Sequence, residues 1–566
     1  MPGSDRVKNP NNRLVAGLAA VMVLASCAQR DPSQPLAPVT ARASTKSAAA
    51  TACPALAMHD LRGLRVTSAA LTPAGTEKPK LPNGQDASDQ PLPEHCKVIG
   101  RLDERTGADG KPYHIGFELR LPTAWNGRFF YQGGGGNDGV IRPAYGRNTG
   151  ALGLRNNALT QGFAVVSTDA GHQGDGPEFG LEPQARIDHA YRGHERTAQT
   201  AKALLSVYYG RGADRSYFVG CSGGGRQGMM FTQRFPHFFD GVIAVAPAMR
   251  VSEGATIAAA WTVQKFMSVA PAGADGQPVL ARAFTDAQLK RVAVGVLDAC
   301  DANDGLKDGL VQDVSACRID PAAWQCPATG RGGTECLSAA QVSVLRDVMA
   351  GPRTRAGQPL YVGWPWDPGI RDAGWRAWTL GTATSGAPNA RHVTLMAGAL
   401  GHEFVTPPDP KLSTLNFDFE RDPARMQAFH RVYDTADDVK LEAYRSRGGK
   451  LIFFHGNADP IFSALEVVDY TKRMHDTLGA ARANEFSRTY LVPGMNHCAG
   501  GPATDDFDGL SALVAWVEQG RTPQAIPARG TQALPGVSRP LCPWPGVARY
   551  AGSGDVNSAS SFECRP

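Results

Sequence analysis

Several things are scarce in this 566-residue chain, and each scarcity removes a class of protein. Net charge is only +5 over the whole length, so no basic or acidic excess points to nucleic acid or an acidic surface as partner. Charged residues make up 20% and hydrophobic residues 42%, ordinary proportions for a soluble globular chain. Past the first 26 residues no stretch is apolar enough to span a bilayer. No internal repeat is visible, and no long low-complexity run follows residue 52. What remains is a chain long enough for two or more structural units.

The N-terminus reads as an address. Arg6, Lys8 and Arg13 precede the apolar run "LVAGLAAVMVLAS" and then Cys27. A charged region followed by an apolar core too short for a spanning helix is an export signal. "LASC" fits a lipobox, with Cys27 acylated as the only membrane link; cleavage near Ala25 without a lipid is the alternative. Residues 1–27 are thus assigned to the signal peptide, and residues 28–52, rich in Ala, Ser and Pro, to a disordered tether. The expected location is periplasmic, outer-membrane-anchored or extracellular in a bacterium. Export favours disulfides. Of 11 cysteines, those other than Cys27 form an even set, so no thiol is obliged to stay free, although counting alone assigns no pairs.

From about Tyr113 short β-rich runs alternate with helix-like segments. "GRFFYQGGGG", "GFAVVSTDAGH", "SYFVG", "GVIAVAPA", "GKLIFFHGNADP" and "RTYLVPGMNHC" read as strands with polar or glycine-rich ends. That alternation predicts an α/β fold with a mostly parallel sheet whose site lies at the carboxyl ends of the strands. Between about residues 250 and 448 the rhythm fails amid prolines, glycines, tryptophans and four cysteines. The expected organisation is an α/β-hydrolase core of residues 53–249 and 449–566, interrupted by an inserted lid domain of residues 250–448.

"VGCSGGGRQGMM" places Ser222 in a Gly-x-Ser-x-Gly frame between an apolar strand and a helix-like run. Such an elbow exposes a serine hydroxyl at a tight strand-to-helix turn. The hydroxyl needs a base oriented by a carboxylate. Asp459 in "HGNADP" and His497 in "PGMNHC" follow in the order Ser, Asp, His, each just past a strand. His172 and His455 are rival histidines, better suited to supporting or packing roles. The oxyanion would be held by the amide of Gly223 and by one from the glycine loop at residues 133–136. Cys221 beside the serine and Cys498 beside the histidine would be brought close if Ser222 and His497 meet, which predicts a disulfide between them.

These segments, with "CDANDGLKDG", "FHGNADPIFSAL" and "RPLCPWPGVARYAGSGD", resemble the tannase and feruloyl esterase family from about Cys53 to Cys564. The resemblance implies bridges Cys53–Cys96, Cys221–Cys498, Cys300–Cys317, Cys326–Cys336 and Cys542–Cys564, and points to Gly136 as the second oxyanion donor. It also implies a structural Ca²⁺ held by the carboxylates of Asp301, Asp304 and Asp308 and the carbonyls of Leu306 and Leu310. Read from the residues alone, that loop is equally an acidic solvated turn, since it lacks the EF-hand pattern.

For the substrate, the resemblance gives Trp378 a ring-stacking role and makes Phe462 an aromatic neighbour of the catalytic aspartate; core packing is the plain alternative for both. Where a family member acting on a terephthalate monoester carries an arginine, this chain aligns His392, with Arg391 one residue away and Met396 nearby. A carboxylate clamp tolerates such a shift poorly. The expected activity is therefore a serine carboxylesterase acting on small-molecule esters of aromatic, phenolic acids. Terephthalate monoester hydrolysis is the alternative. A catalytically silent, calcium-stabilised binding lipoprotein and an amidase or peptidase on the same triad are further readings.

Overall fold

The computed structural model describes residues 52–79, 88, 90–147, 157–328, 333 and 335–566. The signal peptide, Cys27 and nearly all of the tether lie outside them. The described residues belong to one compact unit, Val39–Pro566.

Its centre is a nine-stranded sheet of β1 (Leu64–Thr72), β2 (His95–Thr106), β3 (Pro112–Pro122), β4 (Arg128–Gln132), β5 (Ala164–Thr168), β6 (Arg215–Cys221), β7 (Gly241–Val245), β8 (Lys450–Gly456) and β9 (Ser487–Val492), in the order β1-β2-β3-β5-β4-β6-β7-β8-β9. From β5 to β9 every neighbour is parallel, whereas β1, β2 and β3 form an antiparallel meander ending on β5. The meander's outer strand β1 has only half-buried and exposed residues, so it lacks the continuous apolar run that made the parallel strands legible.

The parallel strands are apolar along their length because both faces are covered. Successive side chains leave on opposite sides. Phe129, Tyr131, Phe218, Val242, Ala244, Leu451 and Phe453 pack on one face with helices α1 (Gly193–Tyr209), α2 (Gly223–Arg234) and α3 (Ala464–Leu478). Phe130, Tyr217, Val219, Ile243, Val245, Ile452 and Phe454 pack on the other with α4 (Gly509–Gln519) and the C-terminal strands.

Between β7 and β8 the described chain adds no strand to this sheet. It forms helices such as Thr256–Met267, Asp286–Cys300, Ala339–Ala350 and Pro423–Tyr433. Residues from Val263 to Ala390 share a hydrophobic cluster of their own, in which Phe266, Val292, Leu345 and Trp375 are buried. A second cluster joins the insertion to the sheet's carboxyl edge, where Trp378, Met396, Leu400 and Phe404 meet Ala190, Ala248, Ile461 and Phe462. All five disulfides pair as the family resemblance implies.

Candidate active site

β6 delivers Ser222 to the carboxyl edge between β4 and β7. Ser222 sits at φ 63°, ψ −127°, a conformation side chains rarely adopt and one that costs on the order of 1–3 kcal/mol unless its surroundings impose it. The backbone is tied on both sides: Ser222 N donates to Val245 O at 3.0 Å and Ala248 N donates to Ser222 O at 3.2 Å. The turn depends on bare neighbours. A Cβ at Gly220 would lie 2.6 Å from the Gly224 carbonyl carbon, and one at Gly224 would lie 2.6 Å from Gly134 O.

Those same approaches seat the glycine loop after β4 directly on the elbow. Gly134 N donates to Gln227 Oε1 at 3.0 Å and Gly135 N to Asp138 Oδ1 at 2.7 Å. Gln227 Nε2 donates to Asp138 Oδ2 at 2.7 Å, closing a brace from the helix behind the serine to the loop in front of it. Gly136, the next residue, lines a cavity together with Ser222 and Gly223.

Asp459 and His497 stand past the ends of β8 and β9. His497 Nδ1 lies 2.7 Å from Asp459 Oδ2. The other Asp459 oxygen accepts from the amides of Ile461 at 2.9 Å and Phe462 at 3.1 Å. Burial opposes the charge on Asp459, but His497 and His455 hold its carboxyl well below the usual range. His455 is the supporting residue foreseen: its Nε2 lies 2.8 Å from Phe462 O and 3.5 Å from Asp459 Oδ2. His172 packs on Phe179 and places Nε2 2.6 Å from Asn137 O, under the glycine loop. The Cys221–Cys498 bridge, with Cα atoms 6.0 Å apart, fastens the residue before Ser222 to the residue after His497.

Sequence reasoning did not foresee how far the insertion holds these loops. Trp364 Nε1 donates to Asp459 O at 3.0 Å. Buried Asp367 accepts from Gly494 N at 3.0 Å, and Asp372 accepts from Asn496 Nδ2 at 2.5 Å. The rings of Trp378 and Phe462 flank the imidazole of His497, each with its centroid 5.3 Å away.

Trp378, Phe462 and Met396 line the cavity with Ser222, joined by Phe404, Tyr433 and Glu403, which had been missed. Glu403's only sequence signal is a lone acid in the apolar run "ALGHEFV". His392 and Arg391 are not among the lining residues, but both lie beside the ring of Trp378, which is. His392 is 1% exposed, with burial pushing its pKa down to about 3, and packs beside Trp378 as a neutral ring. Arg391 is exposed and lays its guanidinium 4.4 Å from the centre of the Trp378 ring.

In the acidic loop, Asp301 accepts from Asp308 N and Gly309 N, Asp304 from Leu306 N, and Asp308 from Leu310 N. Asp308 also pairs with Arg539. Asp304 Oδ2 is buried without a partner. Burial, with Asp308 and Asp301 nearby, pushes the Asp304 carboxyl up to about 7. An orphaned buried oxygen among mutually repelling carboxylates suits a hard cation. Elsewhere among the described residues Glu253, His430 and Asp434 also converge. There the hydrogen bond to Asp434 raises the pKa of His430 to about 9, so this imidazole is protonated and the group is an ion-paired cluster.

A serine-bearing elbow at the carboxyl edge of a mostly parallel sheet, with a histidine–aspartate pair past the ends of two further strands, places the chain in the α/β-hydrolase fold class. The family model "Tannase and feruloyl esterase" matches residues 96–565. The chain belongs to that family and is a carboxylic ester hydrolase. It is 44% identical over 527 residues to mono(2-hydroxyethyl) terephthalate hydrolase of Piscinibacter sakaiensis, covering 84% of this chain and 86% of that protein. It is 28% identical over 534 residues to the probable feruloyl esterase B-1 of Aspergillus fumigatus strain Af293, covering 89% and 93%. Among solved structures, feruloyl esterase B from Aspergillus oryzae superposes with a TM-score of 0.74 at 25% identity, covering 91% of this chain and 99% of that one.

Proposed function

We propose that the protein hydrolyses esters of aromatic, phenolic acids through an acyl-enzyme on Ser222. The observation that carries this reading is one cavity lined by Ser222, Gly136 and Gly223 and walled by Trp378 and Phe462, two rings that also flank His497. The aromatic walls would hold the acid ring, and the glycine amides would face the carbonyl oxygen. His497 takes the Ser222 proton as the hydroxyl attacks the ester carbon, and the amides of Gly136 and Gly223 bind the oxyanion. His497 returns the proton to the departing alcohol, and a water activated by the same imidazole releases the acid. Asp459, held as an anion, keeps the Nδ1 proton of His497 on its own side and steadies the imidazolium.

A second reading, hydrolysis of a terephthalate monoester, is favoured by the 44% identity to a hydrolase named for that substrate. Against it stands the cavity wall, which has no arginine among its described residues. Rates on methyl ferulate, methyl gallate and mono(2-hydroxyethyl) terephthalate, with Ser222→Ala beside the native chain, decide between them. Preference for a phenolic ester supports the first reading and preference for the terephthalate ester the second. Full activity in Ser222→Ala would sink both.

We also propose that Asp301, Asp304 and Asp308, with the carbonyls of Leu306 and Leu310, hold a Ca²⁺ that neutralises the loop and takes no part in the chemistry. Export to an oxidising compartment is part of the same proposal, supported by five disulfides.

A further inference from the structure

Among the described residues lining the cavity, Glu403 is the one whose side chain ordinarily carries a full charge. It is 1% exposed and shares the cavity lining with Met396, Phe404 and Tyr433. A carboxylate so placed costs several kcal/mol unless it is paired. Its partner is His189, whose Nδ1 lies 2.7 Å from Glu403 Oε1. The other nitrogen of His189 lies 3.6 Å from Asp138 Oδ2, the carboxylate that braces the oxyanion loop. Burial works against charge on His189, yet Glu403 and Asp138 together raise its pKa to about 9. One imidazolium thus serves two carboxylates.

Among the described residues no cation other than His189 gives the Glu403 carboxylate a hydrogen bond, although the charge of Arg186 also acts on it. Arg186 gives its hydrogen bonds to the carbonyls of Glu403 and Val405 and to Thr406, not to the carboxylate. Arg226, fully buried behind the elbow, gives its hydrogen bonds to the carbonyls of His189, Ala190 and Tyr433. The substrate chamber therefore offers a ring an aromatic and aliphatic wall plus one anionic acceptor. A ring hydroxyl can donate to that acceptor. A second carboxylate on the ring would meet like charge in a site of low dielectric.

Resting on the phenolic-ester reading above, we propose that Glu403 is the specificity-determining residue of the acid pocket, accepting a hydrogen bond from the substrate's ring hydroxyl and turning away ring acids that carry a second carboxylate.

The test compares kcat/KM on methyl 4-hydroxycinnamate, methyl cinnamate and monomethyl terephthalate for the full chain, Glu403→Gln and Glu403→Leu. The native chain should favour the hydroxylated ring over the bare ring by about tenfold or more, as expected when a buried acceptor would otherwise lie unpaired. Glu403→Leu should bring that ratio near one, Glu403→Gln should narrow it, and both should raise the relative rate on the terephthalate ester. Partial misfolding lowers all three rates together and leaves the ratios intact. Binding of 4-hydroxycinnamate and terephthalate to Ser222→Ala, followed by calorimetry, gives the same comparison without turnover. If the esters are hydrolysed but the ratios do not differ between native chain and variants, Glu403 has no such role and the Ser222 reading survives. If none of the esters is hydrolysed, the underlying reading fails with it.

Discussion

The carboxyl edge of the sheet and the insertion packed on it build the site by different physics. At the edge, position is set by backbone. Ser222 is held at a positive φ, Gly224 leaves no room for a methyl group against Gly134 O, and Asp459 has three neighbours within hydrogen-bond distance. The insertion contributes mostly side-chain surface, with Trp378, Met396 and Phe404 packed by burial. Backbone placement fails abruptly when one atom is added, whereas an apolar wall can relax around a change. On the proposed function, the chemistry belongs to the inflexible region and substrate choice to the adaptable one.

The largest effect should come from the edge. Asp459→Asn should lower kcat by about a thousandfold or more, because the imidazole loses both its orientation and its counter-charge; steady-state kinetics on a phenolic ester will show it, with KM little moved. Gly224→Ala should come next, losing about a hundredfold or more in kcat by pushing the glycine loop off the oxyanion. A near-native rate in that variant would mean the elbow is looser than its contacts imply. Trp378→Ala, on the insertion, should act mainly on KM, raising it about tenfold through lost ring burial. An equal loss in kcat would instead make Trp378 a support of His497, and the contrast between the two regions would weaken.

The smallest effect concerns the acidic loop. Because burial raises the pKa of Asp304 in the folded loop to about 7 from an ordinary 3.8, the folded loop holds its proton longer than the unfolded chain. Its contribution to stability is therefore complete below the unfolded value and is lost as pH rises towards 7. In a chelator the melting temperature should fall across that window by a few degrees at most, for about 1–2 kcal/mol in so large a chain. Added calcium should remove the fall, since the cation takes the place of the proton. A pH profile identical with and without calcium would leave the loop as a solvated turn.

Much of this protein is local in sequence and was readable there. Doubly covered strands are apolar from end to end, an elbow needs its small residues at fixed offsets, and the Ser, Asp, His order follows the strand order. The pairing of Cys221 with Cys498 follows from the same convergence. What only the tertiary structure decided is what arrives from far along the chain. β1, the outer strand of the meander, has no buried residue and carries no continuous apolar run. Asp367 and Asp372 look like ordinary turn residues until they are seen holding the loop of His497. Which of two neighbours on a short helix is buried is likewise decided by packing: His392 is a buried ring beside Trp378, whereas Arg391 is exposed with its guanidinium over the same ring. Glu403 was invisible for the same reason: a lone acid becomes a feature of the pocket only when His189, more than two hundred positions earlier, is folded against it. Sequence patterns record repeating burial and tight turns; single contacts between distant segments leave no such record.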